Sequence, residues 1–311
     1  MNRRKLLTSS AALGLASAIP SLSISKLFAA TGAVQSGSSA DKNQLKDRSN
    51  PLTPPAQGSI PVAFPISRGA VIIDFCGPWE VFDAADIPGH EGDVFQTYTV
   101  AETLEPITAS GGMKIIPNYT FETAPPPKVV VIPAQSGSTE AMLAWIRSVT
   151  KATDVTMSVC TGAFVLAKTG LLSGKSATTF HEAFAGFEMQ FPDIRLKRGA
   201  RFVEDGNLAS SGGLTSGMDL AFRVVERYYG RQAAERTAYL LEYQGKGWQD
   251  PNSNEIYARK VAAVADGRPL CPVCSMDADL KISSVYKGET YCFCMQDHKQ
   301  VFDENPAKFA I

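Results

Sequence analysis

The run "KVVVIPA" at residues 128–134 restricts the fold more than any other segment. From Val129 to Ile132 it shows no alternation of apolar and polar residues, so a strand there has no face to give to solvent. Such a strand belongs inside a sheet covered on both sides, and the neighbouring segments supply the covers. "SIPVAFPI" and "FQTYTVAE" read as further strands, and "AVIIDFCG" as an apolar turn. "GPWEVFDAAD", "STEAMLAWIRSVT", "GAFVLAKTGLL" and "TSGMDLAFRVVERYYG" read as helices between and after the strands. Strands alternating with helices predict an α/β fold with a parallel sheet and helices on both faces.

Composition then divides the chain. Residues 1–30 have a short basic head, a modestly apolar middle and small residues at Ala29 and Ala30, the layout of an export signal. Arg3 and Arg4 followed by Leu6 and Leu7 resemble a twin-arginine signal, although Asn2 stands where Ser or Thr is usual. An uncleaved anchor helix is the alternative, and Pro20 interrupts its apolar run. Residues 31–58, rich in Ser, Gly, Pro and charge, read as a disordered tether. Residues 59–246 hold the α/β domain, and 247–268 read as a polar linker. Four of the six cysteines fall between Cys271 and Cys294, which marks residues 269–311 as a second, small domain.

Charge excludes one class of partner. Thirty Lys and Arg against 31 Asp and Glu leave a net charge of −1, and no basic run past the N-terminus could follow a phosphate backbone. Nucleic acid is therefore not expected as a partner. Nor does a segment beyond the signal have the length and hydropathy to span a bilayer, so no membrane contact is expected once the signal is cleaved.

"DVTMSVCTGAFVLAKTG", residues 154–170, places Cys160 where an alternating strand pattern becomes a helical one. At the carboxyl end of a strand in an open parallel sheet, the following helix points its N-terminus into the crevice. Its partial charge and free N–H groups favour thiolate over thiol. Gly162 permits a tight bend there, and the N–H of Thr161 can face a developing oxyanion. The competing reading makes Cys160 a small buried hydrophobe.

"MSVCTGAFVLAKTGLLSGKSATTFH", with "VIIDFCGPWEVFDAA" before it and "DGNLASSGGLTSGMDLAFRVVERYYG" after it, closely resembles the ThiJ/PfpI superfamily. The nearest likeness within it is to isonitrile hydratases and to the matching domain of some AraC-type regulators. The resemblance implies a flavodoxin-like, class I glutamine amidotransferase-like sheet sandwiched by helices. It also implies Cys160 as nucleophile, Asp74 as the carboxylate leaning on it, and Thr161 as the functional residue after it. Two acids in contact cannot both ionise cheaply, so they share a proton, which suits addition of water to a carbon–nitrogen multiple bond. Asp74 could instead cap a helix starting near Pro78. Relatives often carry histidine directly after "ATT"; here Phe180 stands there and His181 follows, a one-position slip that turns the ring away from an extended segment. His181 nonetheless joins Cys160, Asp74 and Thr161 as a candidate catalytic residue. Many relatives also have Gly-Gly after the central strand, where this chain has Ala134 and Gln135, leaving one backbone N–H for an oxyanion pocket. No cofactor is expected at Cys160, and the resemblance implies a homodimer.

In the tail, Cys271 and Cys274 form a C-x-x-C knuckle, and Cys294 and His298 lie four apart at a turn entering a helix. Three thiolates and an imidazole suit a tetrahedral soft-metal site, and a domain this small would draw much of its folding energy from the ion. "CPVCSM", "YKGETY", "FC" and the terminal F-x-x-x-P-x-x-F resemble the YHS domain, a small metal-binding module, in which the position of His298 is commonly cysteine. Zinc is the default ion, with copper or iron as alternatives. Cys292 reads as a substitute ligand or a disulfide partner, and two disulfides in an exported chain remain the competing reading.

The expectation is a periplasmic or secreted cysteine enzyme, a hydratase or hydrolase acting on a small carbon–nitrogen electrophile, with an accessory metal domain. The alternative is a non-catalytic protein that binds ligands or handles metal.

Overall fold

The computed structural model describes residues 50–258, 269–273 and 278–309. The expected export signal, most of the tether, residues 259–268 and Cys274 lie outside the described residues. Every described residue belongs to one compact unit, Asn50–Ile311.

Seven strands form the central sheet: β1 (Ile60–Pro65), β2 (Phe95–Ala101), β3 (Tyr119–Thr120), β4 (Val129–Ile132), β5 (Val155–Val159), β6 (Phe202–Asp205) and β7 (Leu208–Ser211). Their order across the sheet is β6-β7-β5-β4-β1-β2-β3. All neighbours are parallel except the β6–β7 hairpin at one edge. In β4 the lack of alternation has its expected cause. Val129 and Val131 enter one core while Val130 and Ile132 enter the core on the opposite face. Each such buried side chain contributes about 1.5–3 kcal/mol, which fixes β4 at the centre.

Helices α1 (Ile72–Asp83), α5 (Thr215–Tyr229) and α6 (Arg231–Leu240) cover the first face. The second face carries α2 (Glu140–Val149), α3 (Gly162–Lys168) and α4 (Phe184–Gln190). Thr139 caps α2 by accepting from the Met142 N–H at 3.3 Å. One boundary differs from the sequence reading. The apolar turn "VIID" is already helical, so Pro78 lies inside α1 instead of at its start. Burial of Phe75, Val81 and Phe82 on α1 outweighs the single backbone bond that proline removes.

The two presumed linkers are also corrected where the structure describes them. Asn50 and Leu52 at the end of the tether are tied to α5: Arg227 Nε donates to the Asn50 carbonyl, and the Leu52 N–H to the Arg227 carbonyl, both at 2.8 Å. Residues 247–258, read as linker, belong to the α/β domain. Trp248 is buried, and its backbone N–H donates to Asp219 Oδ1 at 2.9 Å. The sequence misled because polar residues outnumber apolar ones there, while one tryptophan and satisfied polar bonds suffice to hold the segment. It ends in α7 (Glu255–Ala258), which lies against Gly199, where a Cβ would come within 3.0 Å of Glu255 Cα.

The tail forms a two-stranded hairpin, β8 (Asp279–Tyr286) and β9 (Glu289–Phe293), followed by α8 (Gln296–Glu304) and α9 (Pro306–Phe309). Its small core is Cys271, Val273, Phe293, Phe302 and Phe309, with Ala185 of α4 completing it.

Candidate active site

β1 and β4 are neighbours whose onward connections leave in opposite directions, toward β2 and toward β5. Ligand sites in open α/β sheets form at such a switch, outside the carboxyl ends of the strands. Three residues converge there. Asp74 lies in the first turn of α1 after β1, Ala134 follows β4, and Cys160 follows β5.

Cys160 sits between β5 and α3 with φ +58°, a left-handed backbone that costs a non-glycine residue on the order of 1–2 kcal/mol. Bonds on both sides hold it. Its N–H donates to the Gly212 carbonyl at 3.0 Å, and its own carbonyl accepts from Thr179 Oγ1 at 2.9 Å. Gly162 is required for packing as well: a Cβ there would lie 2.2 Å from the Ile132 carbonyl oxygen.

Asp74 is fully buried and lies inside the first turn of α1, whose N-cap position is Val71, so it is not the capping residue. Its Oδ2 accepts from the Ala134 N–H at 3.1 Å, so the backbone donor expected to serve an oxyanion is spent on the acid instead. Oδ1 is buried and has no hydrogen-bond partner among the described residues. Burial raises the carboxyl to about 6, against the lowering pull of the Ala134 N–H, the Leu214 N–H and the Cys160 thiol. The thiol is pushed further. Burial first, then the Asp74 charge, raise Cys160 to about 12, although the N–H groups of Thr161 and Leu214 and the Thr161 hydroxyl favour its thiolate. The expected standing thiolate is thus corrected. α3 is only seven residues long, and its terminal N–H groups do not offset burial at 7% exposure beside a carboxylate. Both acids are thus shifted toward their protonated forms by burial, and each bears on the other, so they titrate as a coupled pair.

Thr161 is the N-cap residue of α3, and its backbone N–H and hydroxyl both bear on the Cys160 sulfur. His181 is placed otherwise. Its ring packs edge-on against Phe180 at 4.5 Å, stacks on Tyr257 at 4.8 Å and lies 3.9 Å from the Glu182 carboxylate, which leaves it in the wall of the site and not on Cys160. Burial lowers its pKa, so the ring is neutral at pH 7. Cys76 is half-buried and packs against the first core. Leu214 went unnoticed in the sequence. Its backbone (φ 52°, ψ −105°) is strained, and its N–H bears on both acids. The "GG" before it was the available signal: a Cβ on Gly213 would meet the Phe180 ring at 2.5 Å.

Leu214 and Thr179 also line a cavity of about 180 Å³, together with Phe180, His181, Phe184 and Tyr257. Tyr257 comes from the stretch first read as linker.

In the tail, ligand atoms of Cys271, Cys294 and His298 lie within 4.8 Å of one another, a set that can hold a metal. His298 Nδ1 is 3.1 Å from Cys294 Sγ and 3.7 Å from Cys271 Sγ. Tetrahedral zinc with ordinary Zn–S and Zn–N lengths separates such ligands by about 3.6 Å, so the donor set and spacing fit.

The DJ-1/PfpI family matches this chain over residues 61–227. An isonitrile hydratase of Pseudomonas putida is 36% identical over 176 residues, covering 55% of this chain and 73% of that enzyme. The HTH-type transcriptional regulator GbdR of Pseudomonas aeruginosa is 23% identical over 156 residues; the match covers 49% of this chain and less than half, 42%, of the regulator. A solved ThiJ/PfpI family protein from Pseudomonas syringae is similar with a TM-score of 0.54 and 26% identity, over 61% of this chain and 77% of that one. Drosophila melanogaster DJ-1beta shares the fold at a TM-score of 0.52 and 20% identity, over 60% of this chain and all of its own. With more than half of its 311 residues matched in this way, the chain belongs to the DJ-1/PfpI family.

Proposed function

We propose that the protein is a cysteine-dependent hydratase acting on isonitriles, with Cys160 as nucleophile and Asp74 as proton carrier. The observation that carries this reading is the meeting of two buried acids at the sheet's switch point, Cys160 on its left-handed elbow and Asp74 held by the Ala134 N–H. Asp74 takes the thiol proton as sulfur attacks the terminal carbon of R–N≡C, then returns it to that carbon, giving R–N=CH–S–Cys160. N–H groups of Thr161 and Leu214 stabilise sulfur while it carries charge. Water then adds across the C=N bond, hydroxyl to carbon and proton to nitrogen. The C–S bond breaks, its electron pair stays on sulfur, and the hydroxyl proton passes through Asp74 to regenerate the thiol. The net change is R–N≡C plus water to R–NH–CHO. The 36% identity to an isonitrile hydratase supports the substrate class.

Rates of formamide formation test it. Cys160→Ala is expected to abolish turnover, and Asp74→Asn to lower kcat/KM by about 10²–10⁴-fold. Because attack needs ionised Asp74, kcat/KM is expected to fall tenfold per pH unit below about 6. Turnover that survives Cys160→Ala overturns the reading. The alternative is a ligand-binding protein, favoured by the likeness to a transcriptional regulator; it requires binding with no turnover of any isonitrile.

We further propose that residues 269–311 are a YHS-type module holding zinc, with Cys274 as fourth ligand, and that residues 1–30 direct twin-arginine export to the periplasm or outside. Replacing Arg3 and Arg4 by Lys is expected to hold the uncleaved precursor in the cytoplasm. Unchanged export would contradict this route.

A further inference from the structure

The cavity beside the pair has two features that the reaction does not use. Three of its lining rings, Phe180, His181 and Tyr257, form a continuous ladder with centroid spacings of 4.5 and 4.8 Å. Phe184 adds a fourth ring to the lining, held by the Arg198 guanidinium 5.4 Å from its centroid. The only cation among the lining residues is already matched. Arg201 lies 2.5 Å from Asp219 Oδ2, and it donates to Asn254 Oδ1 and Thr215 Oγ1, each at 3.0 Å. His181 is neutral. The site therefore offers an aromatic wall with no uncompensated charge, so it favours an uncharged, flat, apolar group.

Size and position narrow the class. A volume of about 180 Å³ is slightly more than the roughly 150 Å³ of an engineered cavity that admits benzene, so one six-membered ring fills it. Two lining residues touch the reacting cysteine: Thr179 through the Cys160 carbonyl, and Leu214 through the N–H that faces the sulfur. The cavity and the reacting cysteine thus share two neighbours, Thr179 and Leu214.

We propose that this cavity is the slot for the substrate's side group, that it takes an aromatic ring, and that Tyr257 is the specificity-determining residue. The chemistry at Cys160 rests on the hydratase reading, whereas ring binding does not. Tyr257 is 50% exposed, so its replacement does not threaten the core.

The test compares phenyl isonitrile with cyclohexyl isonitrile, equal in ring size and different in aromaticity, on the full chain. Ring stacking is expected to favour phenyl by about 2- to 10-fold in kcat/KM. The ratio should fall toward one in Tyr257→Ala and be restored in Tyr257→Phe. In parallel, Cys160→Ala is titrated with N-phenylformamide and N-cyclohexylformamide by calorimetry, which reads the slot without turnover. Equal rates and equal affinities for the two rings, unchanged in Tyr257→Ala, would overturn the slot and leave the hydratase standing. A Tyr257-dependent preference in calorimetry, with no isonitrile turned over by the intact chain, would leave the slot standing and remove the hydratase.

Discussion

Asp74 and Cys160 pull against the stability of the fold that holds them. The Asp74 carboxyl, completely buried, titrates near 6 in the folded chain against about 3.9 for an exposed aspartate. A raised pKa means that the folded state favours the protonated acid. This contribution is complete below about pH 4 and is lost as pH rises through 6. Asp74→Asn keeps an acceptor for the Ala134 N–H and removes the buried charge. It is expected to be more stable than the parent by about 1–3 kcal/mol at pH 8 and no more stable at pH 4, as measured by denaturant unfolding at both values. A gain independent of pH would show that the carboxylate is not the source. The bend that carries Cys160 and Thr161 was legible in the sequence because a strand pattern gives way there to a helical one beside a glycine. Leu214 and the Ala134 N–H were not, because their roles arise from backbone groups brought together over long separations, 60 residues between Asp74 and Ala134. His181 was placed by adjacency to a motif, yet its ring follows the aromatic neighbours that bury it.

Among the elements, α3 depends on one close approach. Its first residue, Gly162, touches the carbonyl end of β4, and any side chain would meet backbone on both sides, at Ile132 and Pro133. Gly162→Ala is expected to cost about 3 kcal/mol and to lower Tm by roughly 6–12 °C, with activity falling further because the elbow must shift. Gly186 in α4 is the control: a Cβ there meets nothing within 4 Å. Alanine at that position is expected to stabilise by about 0.5–1 kcal/mol. Thermal melts of the two variants should therefore move in opposite directions, and a shared direction would contradict the packing account. Strands and long helices were readable from periodicity because both faces of β4 and one face of each helix answer to a core. The start of α1 was not, since Pro78 is a strong local stop that core packing overrode.

For the whole molecule, the sequence separated an α/β domain from a cysteine-rich tail but drew the division too sharply. Polar composition hid the packing of residues 247–258, and Ala185 of α4 completes the core of the tail. With Cys271, Cys294 and His298 clustered at the edge of that core, one zinc ion per chain is expected by native mass spectrometry. Chelation is expected to raise hydrogen exchange across β8, β9 and α8 while the central sheet stays protected. A tail equally protected after chelation would show that disulfides or packing, not metal, hold it.

The coupling of the two acids can be read from the carboxyl C=O band of Asp74 in infrared difference spectra, assigned by its loss in Asp74→Asn and followed against pH in the intact chain. The expected midpoint is about 6, moving upward in Cys160→Ala because the thiol's hydrogen bond lowers it. A midpoint at the ordinary value of about 4, indifferent to Cys160, would mean that the two acids share nothing.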